Sequence, residues 1–151
     1  MDYKPAGFHT MTPNATYRDT KAAIELYKQA FGLAVDALLE TPDGTVMHVS
    51  ATIGDSHLFM SDEFEGSPRQ APDPQSPVAF YLYLPDVDAS YQQAIDAGLT
   101  SVSEPEDMFW GDRTATVADP FGYAWTLATQ VKEVPPQDAI AIFNQMMAKA
   151  A

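Results

Sequence analysis

An internal repeat sets the architecture of this chain. The triplet Ala51–Ile53 recurs as Ala115–Val117 about 65 residues later, and each copy is followed two residues on by an aspartate. A helix-like segment precedes each triplet and ends in the same Gly-Leu pair, at Gly32-Leu33 and at Gly98-Leu99. Because both matches occur in the same order and at nearly the same spacing, the sequence predicts a duplicated unit.

Each copy of the repeat is predicted to form a strand, a helix and three further strands, in the order βαβββ. Asp19 and Asp86 are placed to cap the two helices, because an aspartate side chain can accept from the first free backbone N–H groups. Gly32 and Gly98 are placed to end them. The predicted elements are strand 8–17, helix 19–30 and strands 34–40, 45–53 and 57–61 in the first copy, and strand 78–84, helix 86–97 and strands 100–103, 113–118 and 123–129 in the second.

The rest of the chain connects and extends the two copies. Residues 62–77 are rich in Pro, Ser, Gly and charge, which predicts a surface linker that acts as a tether rather than a lid. A helix over 137–150 carries Ile140, Phe143 and Met147 on one face, a stripe that favours packing in a core or in a dimer. Residues 1–151 are thus predicted to form a single α+β domain, with unit one at 8–61, unit two at 78–130 and a C-terminal helix.

Charge and composition argue against several classes of partner. Eight Lys and Arg residues against 21 Asp and Glu residues give a net charge of −13, which repels phosphate backbones and anionic membranes. The chain has no apolar run long enough to cross a bilayer, and no cysteine for a disulfide or a thiolate metal site. No secretory signal is visible, so a cytoplasmic protein is expected, with neither nucleic acid nor membrane as a partner.

Three segments together resemble a known superfamily: AAIELYKQAFG, DVDASYQQAIDAG and WGDRTATVADPFGYAWTLAT. They look like the glyoxalase I, bleomycin-resistance and extradiol-dioxygenase proteins, also called the vicinal oxygen chelate superfamily. The ending FWGDR…DPFGYxWxLAT is similar to its PhnB-like branch. The resemblance implies that the curved mixed sheets of the two units enclose a cavity, with helices on their other faces. It also implies a homodimer in which units pair across chains.

The resemblance locates four positions that hold a divalent ion in metal-using members, usually through His and Glu. In this chain they fall at Thr12, Met60, Ala79 and Thr126. Hydroxyls and a thioether are poor ligands for such ions, and alanine offers none. We therefore expect no metal and no cofactor. A metal site built from other residues, such as His48 and His57 with Glu63, is the alternative.

Strand alternation extends the candidate site from these positions. If Ala79 faces the cavity, so do Tyr81 and Tyr83, because side chains on a strand alternate between its faces. Gly111 allows a turn that brings Trp110 to the mouth of the next strand. Arg113 either binds an anionic group of a ligand or forms a salt bridge with Asp112 or Asp119. The predicted ligand-binding residues are Thr12, Asn14, His48, Met60, Tyr81, Tyr83, Trp110, Arg113 and Thr126.

Two functional hypotheses follow. The first is a metal-free protein that binds a small molecule, such as an aromatic or antibiotic-like compound, because no nucleophile with a base and an orienting group appears in the sequence. The alternative is a metal-dependent lyase, isomerase or dioxygenase of the same superfamily. The turn at 119–122 is interpreted as structural, with Gly122 in the left-handed region, and Trp125 as a core residue.

Overall fold

The computed structural model describes all residues from Met1 to Ala151, and it confirms two βαβββ units followed by a helix. No helix is long and apolar enough to span a membrane. Unit one contains β1 (Asn14–Tyr17), α1 (Thr20–Phe31), β2 (Ala34–Glu40), β3 (Val46–Ile53) and β4 (Ser56–Asp62). Unit two contains β5 (Phe80–Tyr83), α2 (Val87–Ala97), β6 (Thr100–Asp107), β7 (Asp112–Ala118) and β8 (Ala124–Gln130), and α3 (Pro136–Ala150) ends the chain.

The two sheets have the same topology. Their strand orders are β1-β4-β3-β2 and β5-β8-β7-β6. In each unit the first strand pairs in parallel with the last, and the other pairs are antiparallel. A parallel pair needs a long crossover between its strands, and the helix with the two middle strands supplies it in both units. The shared topology is what the internal repeat predicted.

The predicted helix boundaries hold at both ends. The side chains of Asp19 and Asp86 each accept a hydrogen bond from the backbone N–H three residues further on, at 3.1 and 3.2 Å. Gly32 and Gly98 end the helices with φ of 71° and 114°, a left-handed backbone that favours glycine. The two helices are thus fixed by the same local signals in both units.

The helix-bearing faces of the two sheets share one core. Trp125 of β8 is buried, with the rings of Phe31 and Tyr27 of α1 at 4.5 and 4.9 Å from its own. Phe80 of β5 packs on the same indole at 4.4 Å. This confirms Trp125 as a core residue. The opposite face of each sheet, called here the open face, points away from this core.

The first predicted strand is wrong over most of its length. It was expected over 8–17, but β1 begins only at Asn14. Pro13 has no backbone N–H to donate to a sheet, and its carbonyl accepts from Phe59 N instead. The preceding segment lies over the open face of unit one, where the Phe8 ring stacks on His57 at 3.7 Å.

Two strands of unit two also differ in length from the prediction. β5 is shorter than the expected 78–84 and covers only Phe80–Tyr83. β6 is longer than the expected 100–103 and continues to Asp107. Its pairing with β7 shifts register twice, so the ladder accommodates Pro105 at an irregularity of an edge strand.

The turn between β7 and β8 is structural, as predicted. Asp119 is buried, and its Oδ1 accepts from the backbone N–H groups of Phe121 and Tyr123 at 2.9 and 3.0 Å. Its Oδ2 accepts from Trp125 Nε1 at 2.9 Å and from the Tyr27 hydroxyl of α1. One carboxylate therefore closes the turn and ties it to the helix of unit one.

The segment between the units packs against this same turn. Ser76 N donates to the Gly122 carbonyl at 2.8 Å. Gly122 has φ of 96°, and a Cβ at this position would lie 2.6 Å from Pro72 Cβ. The glycine is required both by its backbone conformation and by the close approach of the linker.

Candidate functional site

Four side chains meet on the open face of unit two: Tyr81 and Tyr83 of β5, Trp110 of the turn before β7, and Asp112 of β7. We call them the aromatic–carboxylate cluster. The hydroxyls of Tyr81 and Tyr83 donate to Asp112 Oδ2 at 2.7 and 2.9 Å. Trp110 Nε1 donates to the same oxygen at 3.2 Å. Three donors thus converge on one carboxylate oxygen.

The backbone explains why these residues meet. Tyr81 and Tyr83 are two apart on β5 and share one face of the strand. The turn before β7 depends on Gly111, which has φ of 104° and whose Cβ, if present, would overlap the Lys132 carbonyl oxygen. Because the chain reverses at Gly111, the Trp110 indole can reach back to the carboxylate of Asp112.

Asp112 carries a buried charge without an ionic partner. Only 4% of the residue is exposed, and its bonded donors are two phenols and an indole, all neutral. None of the salt bridges of the chain involves it. Its other oxygen, Oδ1, receives no hydrogen bond from the chain and is not fully shielded, so it reaches solvent. The carboxylate is therefore held in place by neutral donors alone.

The sequence interpretation missed Asp112 as a site residue and considered it only as a partner for Arg113. Strand alternation finds it only when it is combined with the pairing of β7 with β8. Thr126 pairs with Thr116 across β7 and β8, and their hydroxyls lie 3.1 Å apart on the open face. Counting back from Thr116 by twos leads through Thr114 to Asp112 on the same face.

Arg113 lies on the other side of the sheet from the aromatic–carboxylate cluster, and of its two predicted alternatives the structure shows a salt bridge. Its Nε and Nη2 donate to the two carboxylate oxygens of Asp88 in α2, at 2.9 and 3.0 Å. Its Nη1 donates to Asp107 at 3.1 Å. The interaction is a salt bridge, but not with Asp112 or Asp119. The Arg113 hydrogen bonds hold the pKa of Asp88 below its usual range.

Met60 is misplaced by the prediction. It is fully buried and pairs with Val49 and Ala15, so it lies in the core beneath the helices. The neighbouring Phe59 faces the open side, where its ring lies 4.8 Å from His48. A shift of one residue along a strand moves a side chain to the opposite face. The internal repeat predicted the cavity-facing position on β4 with an error of one residue, at Met60 instead of Phe59.

The remaining predicted residues lie on the open faces or at the junction of the units. Asn14 is exposed on β1, and His48 is half-buried on β3 beside Phe59. Thr126 is half-buried on β8, next to Tyr81 in the pairing of β5 with β8. Of the predicted residues, only Tyr81, Tyr83 and Trp110 meet at one polar centre.

A pocket of about 290 Å³ lies between the units and is mostly apolar. Thr12, Ala79 and Tyr81 line it together with His9 and His57. Because residues 8–13 are not a strand, the side chains of His9 and Thr12 both reach the pocket. His57 Nδ1 is buried there without a hydrogen-bond partner. Tyr81 belongs to both this pocket and the aromatic–carboxylate cluster.

The donor set does not suit a divalent metal ion. No three His, Asp or Glu side chains of the chain are placed to hold one. Glu63, part of the alternative set with His48 and His57, instead accepts from Ala71 N at 2.9 Å and pairs with Arg18 at 3.6 Å. The four positions known from metal-using relatives carry two threonines, an alanine and the buried Met60. The residues present do not fit the metal that the superfamily often uses.

The phenol of Tyr81 is expected to titrate well above an ordinary tyrosine. Partial burial of the ring and the hydrogen bond to the Asp112 carboxylate raise its pKa to about 12. Both causes disfavour the phenolate, so the group should remain neutral through the range in which exposed tyrosines ionise. Titration of ring-labelled tyrosines by NMR measures this directly. Exposed Tyr3 serves as the reference, and equal midpoints for Tyr81 and Tyr3 would contradict the expectation.

Comparison with known proteins agrees with this architecture. The sequence model of the Glyoxalase/Bleomycin resistance protein/Dioxygenase superfamily matches residues 8–127. An uncharacterised protein of Mycobacterium tuberculosis is 35% identical over 129 residues, which cover 82% of this chain and 76% of that protein. A related protein of Mycobacterium bovis has the same identity and is covered over 85% of its length.

Solved structures show the same fold. TioX from Micromonospora sp. ML1 is similar with a TM-score of 0.64 and 21% identity, over 81% of this chain and 98% of TioX. The PhnB protein of Bacillus cereus is similar with a TM-score of 0.63 and 12% identity, over 80% of this chain and 99% of PhnB. At such identities these structures show the fold and no closer kinship. The match over residues 8–127 is decisive, and the chain belongs to the Glyoxalase/Bleomycin resistance protein/Dioxygenase superfamily.

Proposed function

We propose that this protein binds a small molecule at the open face of unit two without using a metal ion, in the manner of the bleomycin-resistance proteins. The aromatic–carboxylate cluster carries this proposal. It offers three aromatic rings that are partly exposed, and a carboxylate that orients them. Aromatic rings with a few fixed polar groups are typical of small-molecule sites.

Several features favour binding over catalysis. The cluster contains no His, Lys, Ser or Cys, so it lacks the pairing of a nucleophile with a base. The phenols at Tyr81 and Tyr83 are held neutral, since burial and the hydrogen bond to Asp112 raise the pKa of Tyr81, and that hydrogen bond is the main cause for Tyr83. A metal-dependent lyase, isomerase or dioxygenase would need three or more ligands that do not converge in this chain.

A screen of planar aromatic and antibiotic-like compounds, read by the indole N–H signals of the two tryptophans, tests the proposal. Ligands at the cluster are expected to shift the signal of Trp110, whereas a ligand in the pocket between the units should shift that of Trp125, which lines it. Calorimetry then measures the affinity of the hits, since Trp110→Leu removes the reporting indole. Trp110→Leu should weaken binding, whereas Tyr3→Leu, a change at an exposed aromatic outside the cluster, should not. If ligands bind equally well to both variants, the site is elsewhere.

Elemental analysis of the protein purified without chelator tests the metal-free part of the proposal. The expected ratio of transition metal to chain is far below one. A ratio near one that survives dialysis would instead support the enzymatic alternative. The apolar pocket between the units would then be the first place to search, because His9 and His57 both line it.

A second copy of this chain is the proposed partner. The helix α3 has no buried residue, and Ile140, Phe143 and Met147 are exposed on its surface. Leu39 and Tyr83 are exposed on the open faces of the two sheets. Exposed apolar side chains on three elements of one chain favour association. Twofold symmetry would cover the open face of each unit with that of the other unit from the second copy.

Light scattering at micromolar concentration is expected to give twice the chain mass of 16.5 kDa. Phe143→Asp should shift the protein toward monomer, because it places a charge in the apolar stripe of α3. Asn144→Asp adds the same charge at the next position and should leave the mass unchanged. A mass near that of one chain for the unmodified protein would contradict the dimer.

A further inference from the structure

We infer that the aromatic–carboxylate cluster binds an organic cation, that is, a quaternary or protonated amine. The inference rests on the proposed function, because it names the ligand class of the same face. It is carried by the combination of an uncompensated buried carboxylate with accessible aromatic ring faces.

The first observation is the missing positive charge. A buried carboxylate is costly unless a cation compensates for it, and hydrogen bonds from neutral groups compensate only in part. Asp112 receives three such bonds and no salt bridge. The adjacent Arg113 is engaged with Asp88 and Asp107 on the opposite face of the sheet. A cationic ligand would supply the charge that the chain does not provide.

The second observation is the arrangement of the rings. Their polar edges are directed at Asp112, while 45% of Tyr81, 66% of Tyr83 and 39% of Trp110 remain exposed in the single chain. In the proposed dimer these ring faces would line the cavity between the two open faces. The tyrosine rings lie 5.4 Å apart at an angle of 56°, so they are tilted and not stacked on each other. The faces of aromatic rings carry negative electrostatic potential and attract ammonium groups.

The third observation concerns competing ligands. An anion would meet the Asp112 carboxylate and a chain of net charge −13, with Arg113 already paired. A neutral aromatic could stack on the rings but would leave the carboxylate uncompensated. A second copy would bring the open face of unit one, with His48, Ser50 and Phe59, and none of these three is a Lys or Arg. Among these ligand classes only a cation uses both features of the cluster.

The test compares three small probes of nearly equal shape on the full-length protein. Choline carries the positive charge, and its isostere with carbon in place of nitrogen is neutral. The carboxylate obtained by oxidising that isostere is anionic. NMR follows the indole N–H of Trp110, and that of Trp125 reports any binding in the pocket between the units. Choline should bind about tenfold more tightly than the neutral isostere, and the anion more weakly than both.

Charge variants locate the effect. Asp112→Asn should abolish most of the preference for choline over the neutral isostere, while Asp88→Asn removes the same charge on the opposite face and should leave the preference intact. If Asp112→Asn does not fold, Tyr83→Leu removes one accessible ring and should reduce choline affinity severalfold. Tyr3→Leu is its matched control, since Tyr3 is exposed in the N-terminal segment.

The outcomes separate this inference from the proposed function. Equal affinities for choline and its neutral isostere, or no shift of Trp110 by choline at tens of millimolar, would overturn the cation inference. Neutral aromatic ligands from the screen could still bind, and the proposed function would stand. If neither the probes nor any compound of the screen shifts Trp110, both fail together. A preference for choline that survives in Asp112→Asn would show that the rings alone select the ligand and would contradict the role of the carboxylate.

Discussion

Replacing Asp119 by alanine is expected to lower the free energy of unfolding by about 3–5 kcal/mol. The carboxylate is buried and accepts four hydrogen bonds, two from the backbone of its own turn and one each from Trp125 and Tyr27. Alanine would leave the two backbone N–H groups and the Trp125 indole without a partner, and the Tyr27 hydroxyl with only that of Tyr17 at 2.9 Å. Since domains of this size are stable by only about 5–15 kcal/mol, the loss would be large enough to threaten folding.

Chemical denaturation followed by tryptophan fluorescence measures this effect. Asp36→Ala removes an exposed aspartate from β2 and should change the unfolding midpoint little. The unfolding midpoint of Asp119→Asn should lie between those of Asp119→Ala and Asp36→Ala, because an amide can keep some of the hydrogen bonds. Its nitrogen cannot accept from the Trp125 N–H. Equal midpoints for Asp119→Ala and Asp36→Ala would contradict the structural role of the turn.

Gly111→Ala is expected to have the second largest effect, about 2–4 kcal/mol of lost stability. The new Cβ would overlap the Lys132 carbonyl oxygen, and the φ of 104° is strained for any other residue. The carbonyl of Gly111 also accepts from the backbone N–H groups of Val131 and Lys132, at 2.9 and 3.0 Å. To avoid the overlap, the turn that carries Trp110 and Asp112 would have to move. The affinity for choline should therefore fall together with the free energy of unfolding.

Gly44→Ala separates backbone strain from steric overlap. Gly44 has φ of 89°, similar to that of Gly111, but no atom lies within 4 Å of an added Cβ. Gly44→Ala should lower the free energy of unfolding by only about 1–2 kcal/mol, because it adds the strain of a left-handed backbone but no overlap. Thermal and chemical unfolding of both variants give the difference. If Gly111→Ala is no less stable than Gly44→Ala, the close approach of Lys132 is not a real constraint.

Local signals made most of the fold predictable from the sequence. Asp19 and Asp86 as caps, with Gly32 and Gly98 as stops, act within a few residues of the helices that they bound. The repeat then fixed the order of elements in both units. The wrong strand boundaries lie where contacts with a distant segment determine the local structure. At β1 the pairing begins only after Pro13, and residues 8–12 instead lie across the open face of unit one.

The candidate site was less predictable, because its residues meet only in three dimensions. Tyr81 and Tyr83 were found from alternation along one strand. Met60 was placed on the wrong face because the repeat alone did not locate its position on β4 to within one residue. Asp112 was missed and the alternatives for Arg113 stayed open because the two are adjacent and point to opposite faces, and only the pairing of β7 with β8 shows which faces the cluster.

The turn held by Asp119 also shows that the two units constrain the same loop to different degrees. Its counterpart in unit one, Asp55, is exposed and makes only a 3.5 Å contact with Ser56. An insertion at Asp55 would therefore break no bond to a neighbouring element. An insertion at Asp119 would break the bonds to Tyr27 of α1 and to Trp125. For grafting a loop or a tag into this chain, the turn between β3 and β4 is the permissive position and the turn between β7 and β8 is not.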